Sequence, residues 1–333
     1  MNDMIKFGLI GAGGIAQSYV QAFRQVDNAR ISAVVDIRQD AADSLAENAG
    51  CRSFASYEDL WTESRPDAVI VCTPPSTHPE ISLYFLDRGV PVLCEKPLAV
   101  DLRTGIYILD AAARSGTLFA MASKFRYVED VVRAKSILTS GILGEVILFE
   151  NSFTARVDMS RRWTSNPAIS GGGVLIDNGT HSVDIMRYFL GPIEEVHAIE
   201  AKRIQDLPVE DTVRLFIRSK SGVVGTVDLS WSVNKELESY IDVYGSHGIL
   251  RVGWQVSKYR HTSSSGWVVF GNGYNKIQAL RDQVRNFCGA VRGEEPLRIS
   301  PEDAIASVAV VEAAYRSLRD SHWIPVEPAG VLV

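Results

Sequence analysis

The chain has 333 residues, of which 46% are hydrophobic, and its 34 lysines and arginines are outnumbered by 40 aspartates and glutamates, for a net charge of -6. That length supports two domains, and the acidic balance excludes the basic field with which a nucleic-acid binder meets phosphates. Cys51, Cys72, Cys94 and Cys288 are scattered without a CxxC pair, so they announce no zinc site and no disulfide framework. A cytoplasmic chain is expected, with no leader and no apolar run long enough for a membrane span.

In chain order, "IKFGLIG" is a short apolar run, "IAQSYVQAFRQ" has helical spacing, "RISAVVD" is apolar again, and "DAADSLAENAG" is helical and ends in Gly50. "DAVIVCT" is a third apolar run, "HPEISLYFLDRG" a helix stopped by glycine, "VPVLCEKP" a strand, "LRTGIYILDAAARSG" a helix and "LFAMASKF" a strand. Short apolar runs alternating with helices predict parallel strands joined by right-handed crossovers, an α/β doubly wound sheet of the Rossmann type over residues 1–123. From about residue 124 the pattern changes. "EVILFENSFTA", "EEVHAIEAKRI", "DTVRLFIRS", "GVVGTVDLSWS" and "ESYIDVYGS" are strand-like, several with alternation, separated by glycine or charged turns.

The first strand-to-helix turn, "GAGGIA", matches G-x-G-x-x-G/A. Gly11 permits the tight turn, Gly13 lets the backbone approach a pyrophosphate, and Ala16 lets helix and strand pack closely. With Gly14 and Ile15 between them, these residues are expected to hold a dinucleotide. Asp36 closes the next apolar run where a carboxylate accepts ribose hydroxyls, which favours NAD; Arg38, two residues on, keeps NADP open.

"GLIGAGGIA", "VIVCTPPSTHPE", "CEKPLA" and "SGGGVLIDNGTHSVDIMRYFLG", in this order, resemble the Gfo/Idh/MocA family of glucose-fructose oxidoreductase, inositol dehydrogenase and rhizopine-catabolism proteins. The resemblance extends to "ISPEDAIASVAVVEAAYRSLRDSHWIPV", similar to the family's closing helix and strand. It implies an NAD(P)-dependent oxidoreductase acting on a ring hydroxyl or ketone of a sugar, sugar derivative or cyclic polyol. It also implies a C-terminal α+β domain, residues 124–333, built on a large, mostly antiparallel open sheet whose exposed face serves a homodimer or homotetramer.

Ligands of a doubly wound sheet sit beyond the carboxyl ends of its strands, where "TPPSTHP" and "CEKP" both lie. Thr73, Pro74 and His78, which the family places against the nicotinamide ribose, and Glu95 and Lys96 are therefore expected at the cofactor. Oxidising an alcohol needs a base with a pKa near working pH at the hydroxyl; Lys96 fits, lowered by partial burial and a cationic ring, with Glu95 opposing the shift. Asp177 and His181, four apart on one helical face, are the partners that the family uses beside this lysine, and the choice of base between Lys96 and His181 stays open. Gly171, Gly172, Gly173 and Gly179 suggest close approach of a ligand or another backbone. Arg126, Tyr127, Arg156 and Trp163 are candidate substrate contacts, suited to an anionic or a neutral polyol. No metal is expected, since Asp177 and His181 lack a third ligand. Two other classes fit the same motifs: an NAD-dependent glycoside hydrolase that oxidises its sugar transiently, and a noncatalytic NAD sensor.

Overall fold

The computed structural model describes residues 4–328. They divide into two units, residues 4–127 with 276–305, and residues 128–275 with 306–328. A single cut after residue 123 was expected; instead the first unit runs through Tyr127 and takes back a later segment.

In the first unit, β1 (Ile5–Ile10), α1 (Gly14–Phe23), β2 (Ala29–Val35), α2 (Gln39–Ala49), β3 (Arg52–Phe54), α3 (Tyr57–Ser64), β4 (Ala68–Val71), α4 (His78–Leu86), β5 (Val92–Glu95), α5 (Leu102–Ser115) and β6 (Phe119–Ala122) alternate as the sequence predicts, with β3 and α3 added to the elements read from it. Among the described residues the sheet has six strands, all parallel, in the order β3-β2-β1-β4-β5-β6. Strands β4, β5 and β6 are buried throughout, as expected of strands covered on both faces. The order reverses between β1 and β4, where such sheets bind ligands.

The second unit contains α6 (Glu129–Thr139), β7 (Val146–Thr154), the single turn α7 (Pro167–Ser170), α8 (Val174–Leu190), β8 (Ile193–Glu200), β9 (Thr212–Ser219), β10 (Val224–Ser230), β11 (Ser239–Gly245), β12 (Gly248–Gly253), β13 (Ser257–His261) and β14 (Val268–Gly271). Its sheet has nine strands among the described residues, in the order β14-β13-β12-β11-β7-β10-β9-β8-β15, where β15 is Ile324–Pro325. Only the β7–β10 pair is parallel. Alternation sets the faces: Val213, Leu215 and Ile217 are buried while Arg214 and Arg218 are exposed. Helix α8 packs on the buried face, against β7, β9 and β10, with Val183, Met186 and Phe189 in the core. On the other face Leu148 and Val224, register partners, are 45% and 37% exposed.

Helix α9 (Lys276–Val291) returns to the first unit, where Leu280, Val284, Phe287 and Cys288 join the core of Phe7, Leu9, Tyr19 and Phe23. The Phe287 and Phe7 rings lie 6.1 Å apart. Helix α10 (Pro301–Asp320) begins in the first unit and ends in the second. No described helix is long and apolar enough to cross a membrane.

Candidate active site

At the end of β1, Gly11 has φ +98°, and a Cβ there would lie 2.9 Å from the carbonyl carbon and oxygen of Cys72, just past β4. Glycine is thus required twice, by the left-handed backbone and by the contact with the neighbouring strand end. Gly13 caps α1 without a side-chain bond, and a Cβ on Gly13 or Gly14 would meet nothing within 4 Å. The first turn of α1, which starts with Gly14 and Ile15, has no acidic residue, so its amides are presented to an anion on an open side. Ala16 is fully buried in the core, as close helix packing requires. Asp36 takes the Ala12 amide at 2.8 Å on one carboxylate oxygen and the Arg38 amide at 2.9 Å on the other. Each oxygen keeps a lone pair, enough for two ribose hydroxyls. Arg38, largely exposed, sits 3.6 Å from Asp36 beside a 380 Å³ cleft also bounded by Ala12, Gln17 and Asn48. The donor set fits a dinucleotide.

Thr73 and Pro74 follow β4 and are half-buried; the Thr77 hydroxyl holds that turn by donating to the Pro74 carbonyl at 2.8 Å. His78, expected at the cofactor, is fully buried. Its Nε2 lies 2.9 Å from the Thr73 carbonyl and its Nδ1 3.0 Å from that of Pro97, so the ring ties the two loops together from behind and has no nitrogen left to offer a ligand. Burial pushes its pKa down, against the pull of the three carbonyls around it.

Glu95 ends β5 as a buried carboxyl. The Tyr19 hydroxyl donates to Oε1 at 2.9 Å and the Lys96 amide to Oε2 at 3.2 Å. Burial raises the Glu95 pKa, opposed by the charges of Lys124 and Lys96 and by the Tyr19 bond. The two adjacent charges at the end of an apolar strand are thus explained: Glu95 turns inward onto Tyr19, and Lys96 is only half-buried after it. Tyr19 and Lys124 went unrecognised at this spot. Tyr19 lies on the apolar face of α1, where a tyrosine reads as core, and Lys124 comes near Glu95 only because β6 lies beside β5.

In the second unit Asp177 and His181 lie one turn apart on α8. Asp177 is half-buried, and His181 is 5% exposed with its ring edge-on to Phe153 at 6.5 Å. Close approach accounts for Gly172, Gly173 and Gly179, and the neighbours are protein groups, whereas Gly171 ends α7 in the left-handed region with φ +82°. A Cβ on Gly172 would fall 1.9 Å from the Tyr315 hydroxyl, one on Gly173 would fall 2.1 Å from the Glu210 carbonyl oxygen, and one on Gly179 would press on Leu229 and Leu175.

Two expected substrate contacts point elsewhere. Arg126 is 5% exposed and pairs with Asp303 at 2.8 Å, and the Tyr127 hydroxyl donates to Asn286 at 3.0 Å, so both polar ends are engaged inside the first unit. Arg156 and Trp163 are exposed on the segment between β7 and α7, Trp163 by 45%.

The oxidoreductase family with an NAD-binding Rossmann fold matches residues 5–123, and the GFO/IDH/MocA C-terminal domain matches residues 131–251. A glucose-6-phosphate 3-dehydrogenase from Bacillus subtilis (strain 168) is 30% identical over 73% of this chain and 72% of its own length. The chain belongs to the Gfo/Idh/MocA family. As a Gfo/Idh/MocA protein it is an oxidoreductase that binds NAD. It is also similar to an inositol 2-dehydrogenase from Rhizobium meliloti (strain 1021), 24% identical over 97% of this chain and 99% of that one. Among solved structures, GenD2 from gentamicin A biosynthesis, in complex with NAD, is 26% identical and superposes with a TM-score of 0.86 over 98% of this chain and 97% of its own.

Proposed function

We propose that the chain oxidises a ring hydroxyl of a sugar or cyclic polyol with NAD, or reduces the corresponding ketone with NADH. The observation that carries this reading is Lys96 at the carboxyl end of β5, fixed by the inward-turned Glu95, on the same sheet edge as Gly11 and Asp36. NAD, when bound, supplies the hydride acceptor. Lys96 or His181 takes the hydroxyl proton, Asp177 holds the hydroxyl, and Asp36 holds the adenosine ribose. The names of the two dehydrogenase relatives support a sugar or polyol as substrate. We further place the chain in the cytoplasm, where Cys51, Cys72, Cys94 and Cys288 persist as free thiols. The exposed sheet face around Leu148 and Val224 is its homodimer or homotetramer contact.

The test is a spectrophotometric screen of inositols, aldoses, sugar acids and sugar phosphates with NAD and NADP. Lys96→Ala and His181→Ala each should lower turnover about 10²-fold while NADH still binds, the usual scale for a proton-transfer group. Reduction of NAD by 2-hydroxy acids with every sugar inert would end the polyol assignment; near-normal turnover in both variants would remove these residues from the chemistry.

A further inference from the structure

Helix α8 carries two of the three proposed catalytic side chains, yet its own sequence gives it no cap. Its N-cap is Gly173, which has no side chain to accept from the first-turn amides. The acceptor comes from 37 residues further along the chain. Glu210, 6% exposed, takes the Gly173 amide at 3.0 Å and the Leu175 amide at 3.1 Å on Oε1, and its backbone carbonyl takes the Val174 amide at 2.9 Å. The Tyr315 hydroxyl, from α10, donates to the same Oε1 at 2.7 Å. Oε1 thus receives three donors, and a Cβ on Gly172 or Gly173 would collide with this assembly. At the other end, the Lys135 ammonium meets the Phe189 carbonyl at 3.3 Å. A carboxyl at the N-terminus and an ammonium at the C-terminus complement the dipole of the helix.

Asp177 is the residue whose amide makes the opening helical bond, to the Gly173 carbonyl at 3.1 Å. If the cap is lost, the first turn frays, and Asp177 goes with it while His181, a turn deeper, stays. We propose that Glu210, locked by Tyr315, is a positioning residue that fixes the first turn of α8 and so aims the Asp177 carboxylate at the substrate. This rests on the dehydrogenase reading for its functional half; the capping half stands without it.

The experiment compares wild type, Glu210→Ala, Glu210→Gln, Tyr315→Phe and Asp177→Asn, using NAD with whichever of myo-inositol, glucose and glucose 6-phosphate the wild type turns over best. Misplacement of a reacting group by about 1 Å costs up to about 10²-fold, so Glu210→Ala should lower kcat/KM on that scale while NADH affinity holds. Glu210→Gln, which keeps an acceptor oxygen, should restore most of the activity. Because Glu210 acts through Asp177, adding Glu210→Ala to Asp177→Asn should lose little more than Asp177→Asn alone. Hydrogen exchange should accelerate at the amides of residues 173–177 in Glu210→Ala. Full additivity of the two substitutions, or unchanged exchange in a folded Glu210→Ala, overturns the proposal. If Glu210→Ala does not fold, Tyr315→Phe decides, with an expected loss of about tenfold for one hydrogen bond to the shared oxygen; no loss overturns it. Where the wild type turns over none of these three, the best substrate of the wider screen replaces them; a wild type inert to that whole screen sinks the dehydrogenase reading, and exchange alone then decides the cap.

Discussion

Replacing Tyr19 by phenylalanine isolates the bond that lets a carboxyl end a buried strand. Tyr19 is fully buried, and its ring would stay in the core of α1, so no cavity opens and no apolar contact is lost. What disappears is the 2.9 Å hydrogen bond to Glu95, while the Lys96 amide still donates to that carboxyl at 3.2 Å. A hydrogen bond to a charged group contributes about 1.5–3 kcal/mol, and Glu95 stays buried after the change, so a loss of about 2 kcal/mol is expected. For a chain of this size that is a fall in melting temperature of roughly 3 °C. The Tyr19 bond lowers the Glu95 pKa, so the variant should raise it further and lose more stability at alkaline than at acidic pH. Thermal and denaturant unfolding of wild type, Tyr19→Phe, Glu95→Gln and the double variant supply both the loss and the coupling energy. A loss below about 0.5 kcal/mol, or a coupling energy of zero, would refute the reasoning, because a bond between two buried polar groups cannot be removed that cheaply.

Gly11→Ala should destabilise the chain by about 2–4 kcal/mol, from left-handed backbone strain plus the 2.9 Å collision with Cys72, and should abolish NADH binding; melting curves and NADH fluorescence titration check this. Burial raises the pKa values of Glu210 and Glu95 above the ordinary 4.5, so the folded chain holds their protons to higher pH than the unfolded chain does. Their contribution is fully present below about 4.5 and is lost as pH rises through the folded values, so Glu210→Gln should flatten the fall of stability with pH on that side. Identical pH profiles for wild type and variant in denaturant titrations would contradict this.

The first unit was legible because its rules are local. A run such as "AVIV" of β4 is apolar throughout since both faces are covered, and the glycine turn and Asp36 carry their spacing within one β-α-β stretch. In the second unit β7 to β11 could be read from alternation, whereas β12, β13 and β14 were not singled out. They are short; "SKYRH" of β13 carries three basic residues, and only its pairing with β12 and β14 makes it a strand. Glu210 and Tyr315 could not be found from sequence at all, since nothing near either residue points to α8. His78 and Arg126 lie in motifs that invite a ligand, and their contacts in the fold, to backbone carbonyls and to Asp303, could not be read from the sequence.

The return of α9 to the first unit has a consequence for synthesis on the ribosome. Phe287 and Val284 fill the same core as Phe7 and Tyr19, yet they are translated only after all the strands from β7 to β14. The nucleotide-binding half, although most of it precedes the second unit in the chain, cannot close its core first; it must wait with an apolar face bare while its neighbour is made. A fragment ending near Tyr127 is therefore expected to aggregate, and one that joins it directly to residues 276–305 through a flexible linker is the smallest piece with a complete core.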